Sequence, residues 1–235
     1  MTLTLCRFST LRARLWAFAQ MGLARPALRR MAGLEFHKLM GSGTGEGFTP
    51  VPNTAVWAIL AVWSDDDAAR SGLRTGPFAA WARQAAECCH IRLAPRSARG
   101  LWAGRAPFAP GRQDEAAPPD EADAAPIAIL TRATVRPSKT LRFWRRVPDI
   151  SMRIGADADV RLKIGVGEVP WLHQVTFSIW PDAAAMARFA RTGPHADAIR
   201  AVRDGDWFSE ELYARFRVTG MDGTWQGRSA REVLT

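Results

Sequence analysis

The sequence predicts an α+β fold in which tandem ferredoxin-like repeats form, within one chain, an α+β barrel of the dimeric type. Three observations predict it: an internal repeat, the order of strands and helices in its second copy, and an acidic stretch between the copies. In the repeat, the Arg-Thr-Gly-Pro of residues 74–77 recurs at 191–194, and Trp63 recurs as Trp180. All of these positions share one offset of 117 residues, as a duplication would produce.

Glycine-rich matches extend the repeat in both directions. GTGEG (43–47) precedes the first copy and GVGE (165–168) precedes the second. GLWAG (100–104) follows the first copy and GTWQG (223–227) follows the second. Because these matches keep their order along the chain, they indicate a duplicated domain rather than a chance motif.

The two copies are separated by a stretch rich in acids, Pro and Ala. Residues 113–125 carry five acids and no base. We therefore expect an N-terminal half at 1–110, a linker at 111–125 and a C-terminal half at 126–235.

The second copy shows the residue patterns of a βαββαβ unit. Val175, Phe177 and Ile179 share one face of a strand, and Asp182 stands where an acid favours the start of a helix. The predicted elements, in chain order, are the strand Ile127–Val135, the helix Ser138–Arg146, the strands Asp159–Ile164 and His173–Trp180, a helix that begins at Pro181-Asp182, a second helical piece His195–Arg203, and the strand Ala214–Thr219.

The chain is basic and rich in tryptophan, with a net charge of +9 and ten Trp against one Tyr. A basic body suits an anionic membrane surface or an acidic protein partner. We expect no nucleic-acid partner, because the arginines are scattered and no helix-turn-helix, zinc-finger or RNA-binding signature is present. The three cysteines lack C-x-x-C spacing, and no apolar run is long enough to cross a bilayer, so we expect a reduced, cytoplasmic protein.

His195 is the first candidate for a metal ligand among the four histidines. It stands opposite Phe78 in the repeat, since both follow Thr-Gly-Pro, and it shares a helical face with Ile199 and Val202. Suppose that only the C-terminal half kept a cofactor and that the N-terminal half is degenerate. A cofactor-binding residue of the C-terminal half would then align with a residue without that role in the N-terminal half, as His195 does with Phe78. His195 could then be the axial ligand of a haem iron, with a core or capping histidine as the alternative.

Other candidate site residues lie on the predicted strands and turns. His173 is the second candidate ligand, because it has the parity of the inward-facing apolar residues of its strand. Arg132 lies mid-strand; if buried, it would need an anionic partner such as a haem propionate, and if exposed, it would need none. Lys163 supports a weaker form of that argument. GSGTGEG (41–47) lacks the ending of a phosphate loop, so it predicts a turn or backbone packed closely against a ligand.

Seven blocks of the chain closely resemble the spheroidene monooxygenase family and occur in the same order. They are GSGTGEGFTP (41–50), VWAILAVW (56–63), IAILTRATV (127–135), KIGVGEVPW (163–171), QVTFSIWPDA (174–183), GPHADAIRAVR (193–203) and WFSEELYARFRV (207–218). The resemblance covers nearly the whole chain, apart from the acidic linker, and it is loose in the first 35 residues.

The resemblance implies a haem b monooxygenase of carotenoid biosynthesis, which introduces a keto group at C-2 of acyclic carotenoids, of the spheroidene-to-spheroidenone type. Two successive hydroxylations of one carbon would give a geminal diol that loses water. It also implies reduced ferredoxin as the electron donor. The family's Gly-Pro-His, Leu-Thr-Arg-Ala-Thr and Lys-Ile-Gly-Val-Gly-Glu motifs correspond here to His195, Arg132 and Lys163 as haem-binding residues. An apolar carotenoid substrate suggests peripheral contact with the inner, photosynthetic membrane.

Two other functions stay open on the sequence alone. A carrier of haem or carotenoid would have the pocket without turnover, and a cofactor-free monooxygenase of the same barrel type would purify without a Soret band. The residues that carry out the chemistry are not assigned.

Overall fold

The computed structural model describes residues 1–108, 125–145, 159–191 and 206–235. The predicted linker lies outside these residues except for its last position, and so does the predicted helical piece His195–Arg203. Within the described residues, no helix is both long and apolar enough to cross a membrane.

Eight strands, each paired with two neighbours, form a closed antiparallel barrel in the described part of the chain. The order around the barrel is β4-β1-β3-β2-β6-β7-β5-β8, and β8 pairs back with β4. A short ninth strand pairs with the end of β8. The strands are β1 (Thr2–Arg7), β2 (Leu34–Gly43), β3 (Pro52–Trp63), β4 (Glu87–Gly100), β5 (Ile127–Val135), β6 (Leu162–Gly167), β7 (His173–Trp180), β8 (Phe208–Trp225) and β9 (Arg228–Ser229).

Polar side chains define where several helices begin. Asp65 accepts a hydrogen bond from the backbone N–H of Ala68 at 2.8 Å, and Asp182 accepts one from Ala185 at 2.7 Å, as N-capping residues do. The helices are α1 (Leu11–Leu23), α2 (Arg25–Arg29), α3 (Thr44–Gly47), α4 (Asp66–Leu73), α5 (Gly76–Gln84), α6 (Ala183–Arg191) and α7 (Ala230–Leu234), with a 3-10 turn at Pro137–Lys139 that continues into helical residues 140–145.

The barrel has a core inside it and further apolar clusters outside it. Alternate residues of every barrel strand point inward and form one core that both halves share. The opposite face of the first half packs against α1, α2, α4 and α5, where Phe78 and Trp81 are fully buried. In the second half, Met186 of α6 packs in a smaller cluster with Ile129 and Trp180.

The two halves have the same strand order. In each, the order is fourth-first-third-second, β4-β1-β3-β2 in the first half and β8-β5-β7-β6 in the second. Trp63 and Trp180 each end the third strand of their half. The predicted α+β barrel within one chain is confirmed.

The glycine motifs of the repeat meet at the seam between β2 and β6. Gly41 and Ser42 pair there with Gly167 and Val166. Beside them Gly47, with φ +92°, lies so close to β6 that a Cβ atom on it would be 1.7 Å from the carbonyl oxygen of Gly165. The close approach expected of this glycine-rich turn is therefore made to the backbone of the other half.

The strands of the second half follow the sequence prediction with two differences. β5 and β7 have the predicted bounds, whereas β6 spans Leu162–Gly167 rather than the predicted Asp159–Ile164. β8 extends far beyond the predicted Ala214–Thr219, because its first part pairs with β5 and its later part continues along β4. This second pairing closes the barrel, and the local pattern does not reveal it.

Candidate functional site

Charged side chains gather at the end of the barrel interior where β5 ends and β8 begins. Arg132 on β5, Glu210 on β8 and His173 on β7 have the parity of the inward-facing apolar residues of their strands. Lys38 on β2 and Glu168, just after β6, contribute an ion pair of 2.6 Å. We call these five residues the barrel-end cluster.

Arg132 and Glu210 form the most buried ion pair of the cluster. The Arg132 side chain is 2% exposed, so the exposed alternative is wrong, and the anion that it contacts is the Glu210 carboxylate. Glu210 also accepts hydrogen bonds from the backbone N–H groups of Ala103 and Gly104, at 2.9 and 2.8 Å. Partial burial by itself raises the pKa of Glu210, but these hydrogen bonds and the Arg132 charge outweigh it and hold the pKa below its ordinary value.

The same two backbone groups belong to a turn that places Trp102 inside the barrel. Ala103 and Gly104 both have positive φ, 52° and 72°, as in a type I′ turn. The fully buried Trp102 donates from Nε1 to Glu168 at 2.5 Å and contacts the rings of Phe36 and Phe108. Two charged groups, Glu168 and Glu210, thus hold this aromatic turn in the barrel interior.

His173 is half-buried, and its Nδ1 atom has no hydrogen-bond partner among the described residues. Burial lowers the pKa of His173; the Glu168 charge opposes the shift, and the Arg132 and Lys38 charges add to it. The imidazole is therefore neutral at pH 7, the form that can accept a proton or bind a metal. No group of three or more His, Cys, Asp or Glu in the described ranges could hold a metal ion.

Lys163 lies apart from the barrel-end cluster. Its neighbours Leu162 and Ile164 point into the barrel, so Lys163 faces the outside, where it pairs with Glu46 at 2.9 Å. It lines a cleft of about 160 Å³ near the other end of the barrel, with Arg7 and Trp225 among the lining residues. Because Arg132 faces inward and Lys163 outward, the structure does not bring these two predicted site residues together.

His195 lies outside the described residues, but its counterpart in the repeat does not. Phe78 is fully buried in α5 against the outer face of the first half, with its ring centroid 5.5 Å from that of Trp63. In the repeat, Trp63 corresponds to Trp180, which lies on the outer face of the second half. The duplicated position in the first half is thus a buried contact between helix and sheet.

The sequence pattern did not predict three members of the barrel-end cluster, Lys38, Glu168 and Glu210, or Trp102, which contacts Glu168. Sequence signals existed for Trp102 and Glu168, because Trp102 lies in the repeated GLWAG motif and Glu168 in GVGE. Glu210 has the same parity as Leu212 and Ala214, and this parity places it on the inward face of β8. No local pattern marks Lys38.

Relatives that match over most of this chain share one name. A spheroidene monooxygenase of Cereibacter sphaeroides is 48% identical over 238 residues, which cover 100% of this chain and 71% of its own length. That of Rhodobacter capsulatus is also 48% identical and covers 99% of this chain and 96% of its own. That of Rubrivivax gelatinosus is 36% identical over 92% of this chain and 81% of its own. No family model matches the chain.

Solved structures share the fold at low sequence identity. Aldoxime dehydratase superposes with a TM-score of 0.58 and 12% identity, over 92% of this chain and 80% of its own. An aldoxime dehydratase in complex with butyraldoxime gives 0.60 and 13%, over 92% and 78%. At these identities, the likeness shows a common barrel architecture and nothing about the reaction.

Proposed function

Because the chain belongs to the spheroidene monooxygenase family, we propose that it introduces a keto group at C-2 of acyclic carotenoids, of the spheroidene-to-spheroidenone type. One observation carries this proposal: two relatives of that name are 48% identical over essentially the whole chain. The match covers β5, β7 and β8, which hold Arg132, His173 and Glu210.

The proposed reaction is two successive hydroxylations of one carbon. In each, one atom of O₂ is inserted into a C–H bond and the other leaves as water, which consumes two electrons and two protons. The resulting geminal diol then loses water to give the ketone. Reduced ferredoxin is the proposed donor, and a basic protein would favour docking of an acidic one-electron carrier.

We also propose haem b as the cofactor, and His195 as the residue that would bind its iron. The repeat supports this, because His195 stands opposite Phe78, a filler residue that is fully buried in the first half. A bound haem would supply the iron at which O₂ is activated. His173, neutral and with a buried nitrogen that lacks a partner among the described residues, is the second candidate ligand.

The described surroundings of Lys163 and Arg132 do not leave room for a haem. The cleft beside Lys163, at about 160 Å³, is below the roughly 300–1,000 Å³ of a typical ligand site. At the other end of the barrel, Trp102 and Phe108 fill the interior. Arg132 and Lys163 already contact Glu210 and Glu46, so each would have to exchange a carboxylate for a propionate. The haem proposal therefore depends on His195 and its surroundings.

We propose that the two halves arose by duplication of a ferredoxin-like unit. The equal strand order of the halves and the shared positions of Trp63 and Trp180 support this origin. The proposed cellular place is the cytoplasm, at the surface of the inner membrane in which a carotenoid dissolves.

Co-expression with a spheroidene-producing pathway under air tests the activity. We expect the pigment to change from yellow to red and the product to gain a conjugated carbonyl, measured by absorption and mass spectrometry. An unchanged pigment, with soluble protein and a reduced ferredoxin present, would contradict the proposal. Retention of carotenoid without oxygenation would indicate a carrier.

The absorption spectrum of the purified protein tests the cofactor separately. We expect a Soret band that His195→Ala removes, whereas His173→Ala keeps it. The reverse result would place the iron at β7, and a colourless but active protein would indicate a cofactor-free monooxygenase.

A further inference from the structure

The outward side of α1 is apolar. Leu11, Leu15, Phe18 and Leu23 are 73%, 61%, 65% and 71% exposed. Leu11, Leu15 and Phe18 stand at i, i+4 and i+7, so their side chains form one stripe along the helix. Large apolar side chains that share an exposed helix face are typical of a binding surface.

The opposite side of α1 already packs on the barrel, so the stripe does not result from a helix placed with the wrong face inward. Ala17 is fully buried, and the Trp16 ring contacts Phe8 and Trp81 at centroid distances of 6.1 and 6.4 Å. Thr10 caps the helix by accepting from the N–H of Ala13 at 3.2 Å. Both faces of α1 are therefore apolar; one packs on the barrel, and the other stays largely exposed, although the Phe18 ring contacts that of Trp57 at a centroid distance of 6.2 Å.

The surface around the stripe is positively charged. The first 34 residues contain six Arg and no Asp or Glu, and Arg12, Arg25, Arg29 and Arg30 are exposed on or next to α1. Burial lowers the pKa of the nearby His37 imidazole, and the positive charges of Arg29 and Arg25 lower this pKa further. Long arginine side chains can keep their charge at a polar interface while their stems lie on apolar surface.

We propose that this face of α1, the apolar stripe with its flanking arginines, docks the protein onto an anionic lipid bilayer. An apolar helix face with a basic border matches the acyl chains and the acidic headgroups of such a membrane. A second copy of the chain would bring the arginines of both copies together, so like-charge repulsion opposes an interface between two copies on this face. The inference rests on the proposed function, because a bilayer-dissolved carotenoid requires an enzyme at the membrane surface.

Vesicle flotation tests the docking surface. We expect the wild type to float with vesicles of phosphatidylglycerol and phosphatidylcholine and to bind less to phosphatidylcholine alone. Each serine substitution removes most of one side chain's apolar contact and should weaken binding by about tenfold. The double variant Leu15→Ser/Phe18→Ser should therefore bind about 100-fold more weakly than the wild type. Arg25→Gln/Arg29→Gln should weaken binding to the anionic vesicles only.

Leu141→Ser is the matched control, because Leu141 is 78% exposed in the other half of the chain. We expect it to bind like the wild type, and circular dichroism should show all variants folded, since the changed side chains are exposed. The proposal would be overturned if Leu141→Ser lost as much vesicle binding as Leu15→Ser/Phe18→Ser, or if Leu15→Ser/Phe18→Ser lost none. It would also be overturned if the wild type formed a dimer that dissociated only in Leu15→Ser/Phe18→Ser.

Turnover of detergent-dispersed carotenoid separates this inference from the proposed function. We expect Leu15→Ser/Phe18→Ser to keep the wild-type rate in detergent while it loses flotation. If the wild type floats with vesicles but does not convert carotenoid, the proposed function is overturned, while membrane docking through this face of α1 is still supported.

Discussion

The clearest test of the barrel-end cluster is to remove the carboxylate of Glu210. Glu210→Ala leaves the guanidinium of Arg132 buried, at 2% exposure, without its anion. Loss of one partner from a buried ion pair costs about 3–5 kcal/mol. Because the Glu210 side chain is 24% exposed, water can reach part of the site, and we expect the lower value, about 3 kcal/mol.

Urea unfolding followed by tryptophan fluorescence measures this loss. For a chain of this length, about 3 kcal/mol corresponds to a fall of about 6–12 °C in the thermal midpoint. Glu210 also holds the turn that places Trp102 in the barrel, so the fluorescence of the folded variant should shift toward that of a more exposed indole.

Two further variants decide whether the buried charge causes the loss. Glu211→Ala removes the neighbouring, exposed carboxylate and should change stability by less than about 0.5 kcal/mol. Arg132→Met/Glu210→Leu removes both charges and should be more stable than Glu210→Ala alone. If Glu210→Ala costs no more than Glu211→Ala, or if the double variant recovers nothing, the reasoning about the pair is refuted.

Three other predictions follow from the local structure. Burial lowers the pKa of His173, so the native state binds fewer protons than the unfolded state below about pH 6.5. We therefore expect the free energy of unfolding, measured in urea titrations, to fall as the pH drops from 7.5 to 5.5. This fall should be smaller in His173→Gln, and an equal fall in the variant and the wild type would contradict the assignment. A hydrogen bond from Cys6 lowers the pKa of Cys88 to about 5 against the effect of burial. Iodoacetamide at pH 6.5 should thus alkylate Cys88 first, and Cys6→Ala should slow the reaction, as peptide mass spectrometry would show; labelling at another cysteine first would count against it. Gly47→Ala puts a Cβ 1.7 Å from a carbonyl oxygen at positive φ, so we expect a lower thermal midpoint, with Gly22→Ala as the control because nothing lies within 4 Å of its Cβ.

The sequence alone determined the elements whose signal is local. The alternating residues of β5 and β7 predicted their bounds, and Asp182 marked the start of α6, because strand periodicity and helix capping depend on neighbours in the chain. The repeat predicted a barrel of two halves, since a duplicated order of elements survives as matched motifs. The family followed from seven ordered blocks.

Only the tertiary structure decided which face of each strand lies inside and which groups meet there. A period of two tells which side chains share a face of β5, but it does not tell that Arg132 points inward, because that depends on how the sheet closes. Closure occurs when β8 continues from β5 onto β4, and the part of β8 that pairs with β5 brings Glu210 to Arg132 from 78 residues away. Contacts between residues so distant in the chain leave no local pattern, which is why the pairing of Arg132 with Glu210 emerged only from the fold.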